Sequence, residues 1–351
     1  SHTWNVAVNL TGDVRAGSHV IDFQAQSIDP DDPMGGMPYL QPYGMTVIPV
    51  LAAEWYGVSV SGAGARNVDI SEGSAIATWN VAVNNLGNTK DTFSIAWDKS
   101  GVPTGWTLSS QPDTSGKLGW KVSSSFDMSL TVPADALAGT SAVFSMTATS
   151  SESTDAASQS FVATVDQHYG VSLSVDSDSK SKAPGGVVDF IFNVTNTGNG
   201  DDTFDIMVEG PAVWAPNASQ SNIMVSAVSS GQFMVSVTVP ADKDAGSKSG
   251  DIVVTVTSSD GETTTNQTVS VSTDQVYDIS IGYASGFDGT VTVTQEMELQ
   301  MRLNITNNGN GPDTVTLSMK NEPPWAALGS DSILIGRGQT IAIVITLSPD
   351  S

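Results

Sequence analysis

Cysteine is missing from all 351 residues, which excludes disulfides, zinc–thiolate sites and cysteine nucleophiles. Histidine is nearly missing, with only His2, His19 and His168. A catalytic triad would have to be built on one of these, and serine is too common here to mark a nucleophile. Basic side chains are scarce too, 13 against 37 acidic ones, giving a formal net charge of −24. Such a field repels nucleic acid and anionic membranes, and it favours solubility and cation association. No apolar run approaches the ~18 residues of a membrane-spanning helix. No segment shows the 3.6-residue period of an amphipathic helix. The sequence opens without a signal-peptide pattern, so a secreted protein would carry targeting and anchoring segments outside these residues. An enzyme, a nucleic-acid binder and an inserted membrane protein all lack the residues they need.

What the sequence does contain is repetition. The pattern N-x-G-N-x-x-D-T occurs as NLGNTKDT (Asn85, Asn88, Asp91), NTGNGDDT (Asn196, Asn199, Asp202) and NNGNGPDT (Asn307, Asn310, Asp313), each copy 111 residues after the last. Upstream flanks repeat as Tyr56-Gly57-Val58, Tyr169-Gly170-Val171 and Tyr277-Asp278-Ile279. Downstream, VPADALAG (Val132 to Gly139) is matched by VPADKDAG (Val239 to Gly246). A fixed period of this length marks a tandem array.

Each period reads as short alternating strands separated by Gly, Pro, Asn, Asp and Ser. Val188, Phe190, Phe192 and Val194 share one face of a strand. Ala77, Trp79, Val81 and Val83 do the same in the first copy, and Leu299, Met301, Leu303 and Ile305 in the third. Period-two alternation means one buried and one wet face. Seven such strands per unit predict an all-β fold of tandem immunoglobulin-like antiparallel sandwiches. The predicted boundaries are 1–54 (the C-terminal part of a repeat), 55–166 and 167–275 (complete repeats), and 276–351 (an N-terminal part). The joints, Gln167-His168 and Gln275-Val276, have no Gly/Ser linker, which points to restricted motion and an extended rod.

Residues 4–17 align with 126–139 and 233–246, and residues 341–347 fall at the corresponding fifth strand. An incomplete sandwich is unfavourable alone. Two readings stay open: a window from a longer array, or head-to-tail assembly in which residues 1–54 complete the third unit of the next copy.

The order N-x-G, then PTGW (Pro103 to Trp106), then VPADALAG and VFSMTATS, resembles the NEW3 and CARDB-like domains. These are immunoglobulin-like modules of archaeal and bacterial surface and secreted proteins. The resemblance covers residues 55–351 and extends more weakly over 1–54. The second unit departs with Pro211-Ala212-Val213-Trp214, and the third with Pro323-Pro324-Trp325, which lacks the glycine. The resemblance implies a non-catalytic spacer, adhesion or surface-layer role and no catalytic residues.

Three kinds of site merit a candidate list. Asn196, Asn199, Asp201 and Asp202 could offer oxygens to calcium. However, Asp201 is replaced by Lys90 and Pro312 in the other copies, and the EF-hand spacing is absent. A strand-connecting turn, in which Asn and Gly tolerate positive φ and Asx side chains bond nearby backbone, explains more. The insertion Asp29-Pro30-Asp31-Asp32-Pro33 is either a solvated acidic loop or a Ca²⁺ site made by Asp29, Asp31 and Asp32. Sequons for N-glycosylation occur at Asn9, Asn193, Asn217, Asn266 and Asn304. Among the tryptophans, Trp79 and Trp97 fall in inward positions, and Trp106, Trp214 and Trp325 recur as edge plugs. Trp120 has no counterpart and is a candidate surface contact for cell-surface glycans.

Overall fold

The computed structural model describes residues 14–25, 44–62, 64–284, 289–321 and 323–349. Among them the structure is β throughout, apart from one 3-10 turn at Ala212–Trp214. The chain divides into two compact units, residues 1–168 and 169–351.

The first unit opens with a hairpin, β1 (Gly17–Ala25) and β2 (Gly44–Ala52), which forms a two-stranded sheet. A sandwich follows, made of β3 (Val58–Ser61), β4 (Gly64–Val68), β5 (Ala75–Asn85), β6 (Asp91–Gly101), β7 (Thr107–Leu108), β8 (Thr114–Leu118), β9 (Ser123–Val132), β10 (Ser141–Ser150) and β11 (Ala156–Val165). One sheet runs β3-β5-β9-β7 and the other β4-β11-β10-β6-β8. The opening strand is thus split. β3 lies antiparallel to β5, and β4 crosses to pair parallel with β11.

The second unit holds a sandwich of the same plan: β12 (Val171–Val175), β13 (Ser179–Lys182), β14 (Val187–Asn196), β15 (Asp202–Glu209), β16 (Asn217–Ala218), β17 (Asn222–Val225), β18 (Ser230–Thr238), β19 (Ile252–Thr257) and β20 (Thr264–Thr273). Its sheets run β12-β14-β18-β16 and β13-β20-β19-β15-β17, with β13 parallel to β20. A third, smaller sandwich follows within the same unit: β21 (Ile279–Tyr283), β22 (Leu299–Asn307), β23 (Asp313–Thr316), β24 (Ala326–Leu328), β25 (Ser332–Ile335) and β26 (Thr340–Leu347). Among the described residues it has a four-stranded sheet, β21-β22-β26-β24, facing the two-stranded β23-β25.

Alternation places the cores. Along β14, Val188, Phe190, Phe192 and Val194 are buried between the sheets, and Phe192 stacks on Phe233 with centroids 5.3 Å apart. In the first sandwich Trp79 meets the edges of Phe144 and Phe161 at 5.5 and 6.0 Å, and its indole N–H donates to the Gly64 carbonyl. Satisfying that one polar atom is what lets so large a ring be buried. Trp97 is only half-buried against this core, with its N–H on the Pro112 carbonyl.

The third sandwich departs from the sequence expectation. Of Leu299, Met301, Leu303 and Ile305, only Ile305 is fully enclosed, and Leu299 is 37% exposed where its counterpart Val188 is 5%. The alternation is intact, but two strands facing four cannot cover the inward side chains. The strand expectation also missed β13, whose sequence SKSK has no apolar residue and which is held by parallel backbone pairing with β20 and by the Lys180 ammonium on Asp176.

Candidate functional site: the N-x-G-N turn

The first asparagine of each motif ends a central strand and is almost wholly buried, at 2%, 1% and 0% exposure for Asn85, Asn196 and Asn307. Its side-chain oxygen accepts the N–H of the glycine two residues on (Gly87, Gly198, Gly309), each at 2.9 Å. Its amide then donates to the carbonyl four residues on, at Thr89, Gly200 or Gly311. It also donates across to the facing sheet, to Leu118 and Gly119, to Val225, or to Ile335. One side chain thereby closes the turn and stitches the two sheets together. Asparagine suits the role because it presents donor and acceptor without charge.

The motif aspartate opens the next strand. Asp202 accepts the Ser258 hydroxyl at 2.6 Å on one carboxylate oxygen, and the Ser259 hydroxyl and Thr203 N–H on the other. Asp91 repeats this with Ser150, Ser151 and Thr92. Protein donors therefore engage both oxygens of each carboxylate. Asp313 is half-buried, and no serine hydroxyl reaches it among the described residues. The serine pair was not singled out in the sequence, although it recurs as Thr-Ser-Ser at 149–151 and 257–259.

The second asparagine faces away from its own sandwich, toward the preceding repeat. Asn310 accepts the Val276 N–H on its side-chain oxygen at 2.7 Å, and its amide donates to the Asp274 carbonyl at 2.8 Å. Its own carbonyl accepts the N–H of Ala245, from the VPADKDAG loop of the second sandwich, at 2.9 Å. Within the first unit Asn88 does the same. Its oxygen takes the Trp55 N–H at 2.7 Å, its amide reaches the Ala53 carbonyl at 2.9 Å, and its carbonyl accepts from Ala16 at 2.9 Å. Asn199, the equivalent residue of the second sandwich, is also buried.

The glycine between the two asparagines follows from the same packing. A Cβ on Gly309 would lie 2.4 Å from the Val276 carbonyl oxygen, and one on Gly87 would lie 2.5 Å from that of Trp55. Only a residue without a side chain lets the incoming backbone pass. The joint between the second and third sandwiches adds a Gln275 bond to the Pro312 carbonyl and a surface ion pair, Asp244 with Arg337. The ion pair, being exposed, contributes little.

The other candidates fall elsewhere. Asp29, Asp31, Asp32 and Asn9 lie outside the described residues. Asn217 and Asn266 are exposed, whereas Asn193 and Asn304 are half-buried on their strands. Trp106 and Trp214 are buried plugs, but Trp325 is 42% exposed. Trp120 is half-buried, with the Lys121 ammonium 5.2 Å from its ring. Among the described residues no three histidine, aspartate or glutamate side chains converge on one point. A shallow cleft lined by Ile206, Val208, Pro216, Asn217, Ala218 and Gln220 contains no titratable group. Among the described residues no helix is long and apolar enough to cross a membrane.

No protein-family model and no curated protein matches the chain. Among solved structures, extracellular cadherin domains 1–5 of protocadherin gamma B2 are similar at 10% identity, over 96% of this chain and 59% of that one, with a TM-score of 0.41. Protocadherin gamma B7 extracellular domains 1–4 align at 11% identity over 88% of this chain and 72% of that one, with a TM-score of 0.39. A protein of unknown function from Porphyromonas gingivalis W83 aligns at 13% identity over 61% of this chain and 99% of that one, with a TM-score of 0.24. Likenesses this remote assign neither function nor partner, and the description of the chain as tandem immunoglobulin-like β-sandwiches rests on its own sheets and registers.

Proposed function

We propose that this chain is a non-catalytic structural repeat protein of the cell exterior, a stalk, surface-layer or filament component whose job is to hold spacing. The observation that carries this reading is the clamp made by Asn88 and again by Asn310, the same hydrogen bonds at two separate joints. A chain built for a single binding site has no need to lock successive repeats identically, whereas a load-bearing array does. The resemblance to NEW3 and CARDB-like modules of archaeal and bacterial surface proteins points the same way, as does the acidic, cysteine-free composition. Copies joined head to tail would extend the array.

The second reading is an adhesin or carbohydrate-binding accessory of a larger secreted protein. It is favoured by Trp325, exposed at a position where Trp106 and Trp214 are buried. A glycan array and a cell-wall pull-down separate the two. The structural reading expects no saturable binding. Saturable glycan binding abolished by Trp325→Ala overturns it in favour of the adhesin.

A further inference from the structure

We propose that Asn217 is an N-glycosylation site whose first sugar ring fills a cleft in the second sandwich, the place that Trp97 occupies in the first. The inference rests on the reading above of a protein of the cell exterior, and it names one modification and its seat.

The cleft exists because one large side chain has been exchanged for a small one. Trp97 stands six residues after Asp91 on β6, and Val208 stands six after Asp202 on β15. The neighbouring loops correspond as well. The Ile95 N–H donates to the Asp113 carbonyl and the Ile206 N–H to the Ser221 carbonyl, each at 2.8 Å. Pro112 and Gln220, one residue earlier, are therefore equivalent. In the first sandwich the indole of Trp97 covers this region, with its N–H on the Pro112 carbonyl at 3.1 Å and its ring 6.2 Å from that of Phe126. Ile95 beneath it is buried. In the second sandwich the same place is an open cleft of about 250 Å³, lined by Ile206, Val208, Pro216, Asn217 and Gln220 among others. Ile206 is only half-buried there. The volume is below the ~300–1,000 Å³ of pockets for extended ligands, so it suits a single ring.

The open sandwich supplies its own tether. Asn217 lies three residues after Trp214 and begins the sequon Asn217-Ala218-Ser219. Three residues after Trp106 the filled sandwich has Ser109-Ser110-Gln111, which is not a sequon. Asn217 is exposed on the edge strand β16, whereas the sequons of Asn193 and Asn304 lie half-buried on β14 and β22. A pyranose has apolar C–H faces and a polar rim. The side chains of Ile206, Val208 and Pro216 offer apolar surface that such a face would remove from water, while Gln220 and Ser221 offer polar groups to its hydroxyls. In the attachment step a separate transferase uses a sugar carried on a lipid diphosphate. The bond from the anomeric carbon to the phosphate oxygen breaks as the bond to Asn217 Nδ2 forms. The lipid diphosphate departs, and the proton lost from Nδ2 ends on it.

The test uses the chain as its native cells make it. Peptide mapping by mass spectrometry should find a glycan on Asn217. Asn217→Gln from the same cells should lower the melting temperature of the second sandwich by about 4 °C. Made in cells without glycosylation machinery, the same substitution should be silent. It should also be silent in a Val208→Trp background, where an indole takes the cleft. A bare Asn217, no change in melting on Asn217→Gln, or an equal loss in unglycosylated protein would each overturn the proposal. An equal loss in a folded Val208→Trp chain would overturn it too, because the sugar would then act elsewhere. A bare Asn217 beside a modified Asn266 sinks this site and leaves the exterior reading intact. Protease treatment of intact cells that releases no peptide of this chain would sink the exterior reading itself.

Discussion

The side-chain oxygen of Asn310 accepts the backbone N–H of Val276 at 2.7 Å, fixing the first residues of the third sandwich to its own N-x-G-N turn. The same asparagine donates to Asp274 and accepts from Ala245, so a single side chain and its carbonyl hold two points of the preceding repeat as well as the start of its own. Motif and joint are one structure.

Removing the clamp should uncouple neighbours without unfolding them. Asn310→Ala leaves the Val276 N–H and the Asp274 carbonyl without this partner, at a cost of about 1–3 kcal/mol. Gly309→Ala forces the Val276 carbonyl aside. Calorimetry should show the transition of the third sandwich falling to lower temperature and separating from that of the second. Unchanged, superimposed transitions in both variants would contradict a coupling role.

The first asparagine should instead matter to its own sandwich. Asn196→Ala strands the Gly200 and Val225 carbonyls in the interior and removes the acceptor for Gly198. The expected loss is about 2–3 kcal/mol in urea denaturation of the second sandwich, larger than for the clamp residue.

Asp202 and its serines should behave as a coupled group. Ser258→Ala removes one hydroxyl from one carboxylate oxygen and is expected to cost about 1–2 kcal/mol. Asp202→Ala should cost more, since it orphans the Ser258 and Ser259 hydroxyls together. A double-mutant cycle should return a non-zero coupling energy.

Asp176 gives the pH prediction. The Lys180 ammonium, hydrogen-bonded to it at 2.7 Å, holds its carboxyl below the ordinary aspartate value, helped by the Ile191 N–H. Because the folded pKa is depressed, the associated stability is present above the unfolded pKa and is lost as pH falls through the folded one. Carboxyl-detected NMR titration should place Asp176 below a reference aspartate, and Lys180→Met should move it up. No movement would exclude Lys180 as the cause.

If native material carries N-glycans, peptide mapping should find them on exposed Asn217 and Asn266 ahead of half-buried Asn193 and Asn304. Occupancy in the reverse order would contradict accessibility as the deciding factor.

The parts of this fold that sequence reveals are those written in side-chain pattern. β14 was legible because Val188, Phe190, Phe192 and Val194 differ in polarity from their neighbours. β13 was not, because a parallel pairing through SKSK uses only backbone groups. Asn196 was legible as a turn residue, since an asparagine two positions before a glycine has a local partner. The role of Asn310 was hidden for the converse reason. Its partners are backbone atoms of Val276, Asp274 and Ala245, which any residue supplies. The opening of the third core was missed because alternation along β22 reports which side chains face inward but not how much sheet lies opposite.

The most direct test of the joint clamp is a pulsed dipolar EPR distance between spin labels at Thr268→Cys on β20 and Arg302→Cys on β22, in a chain with no other cysteine. With Asn310 in place the distribution should be narrow and single, and Asn310→Ala should broaden it several-fold. A distribution equally broad in both chains would contradict the claim that the repeated motif exists to lock neighbouring sandwiches together.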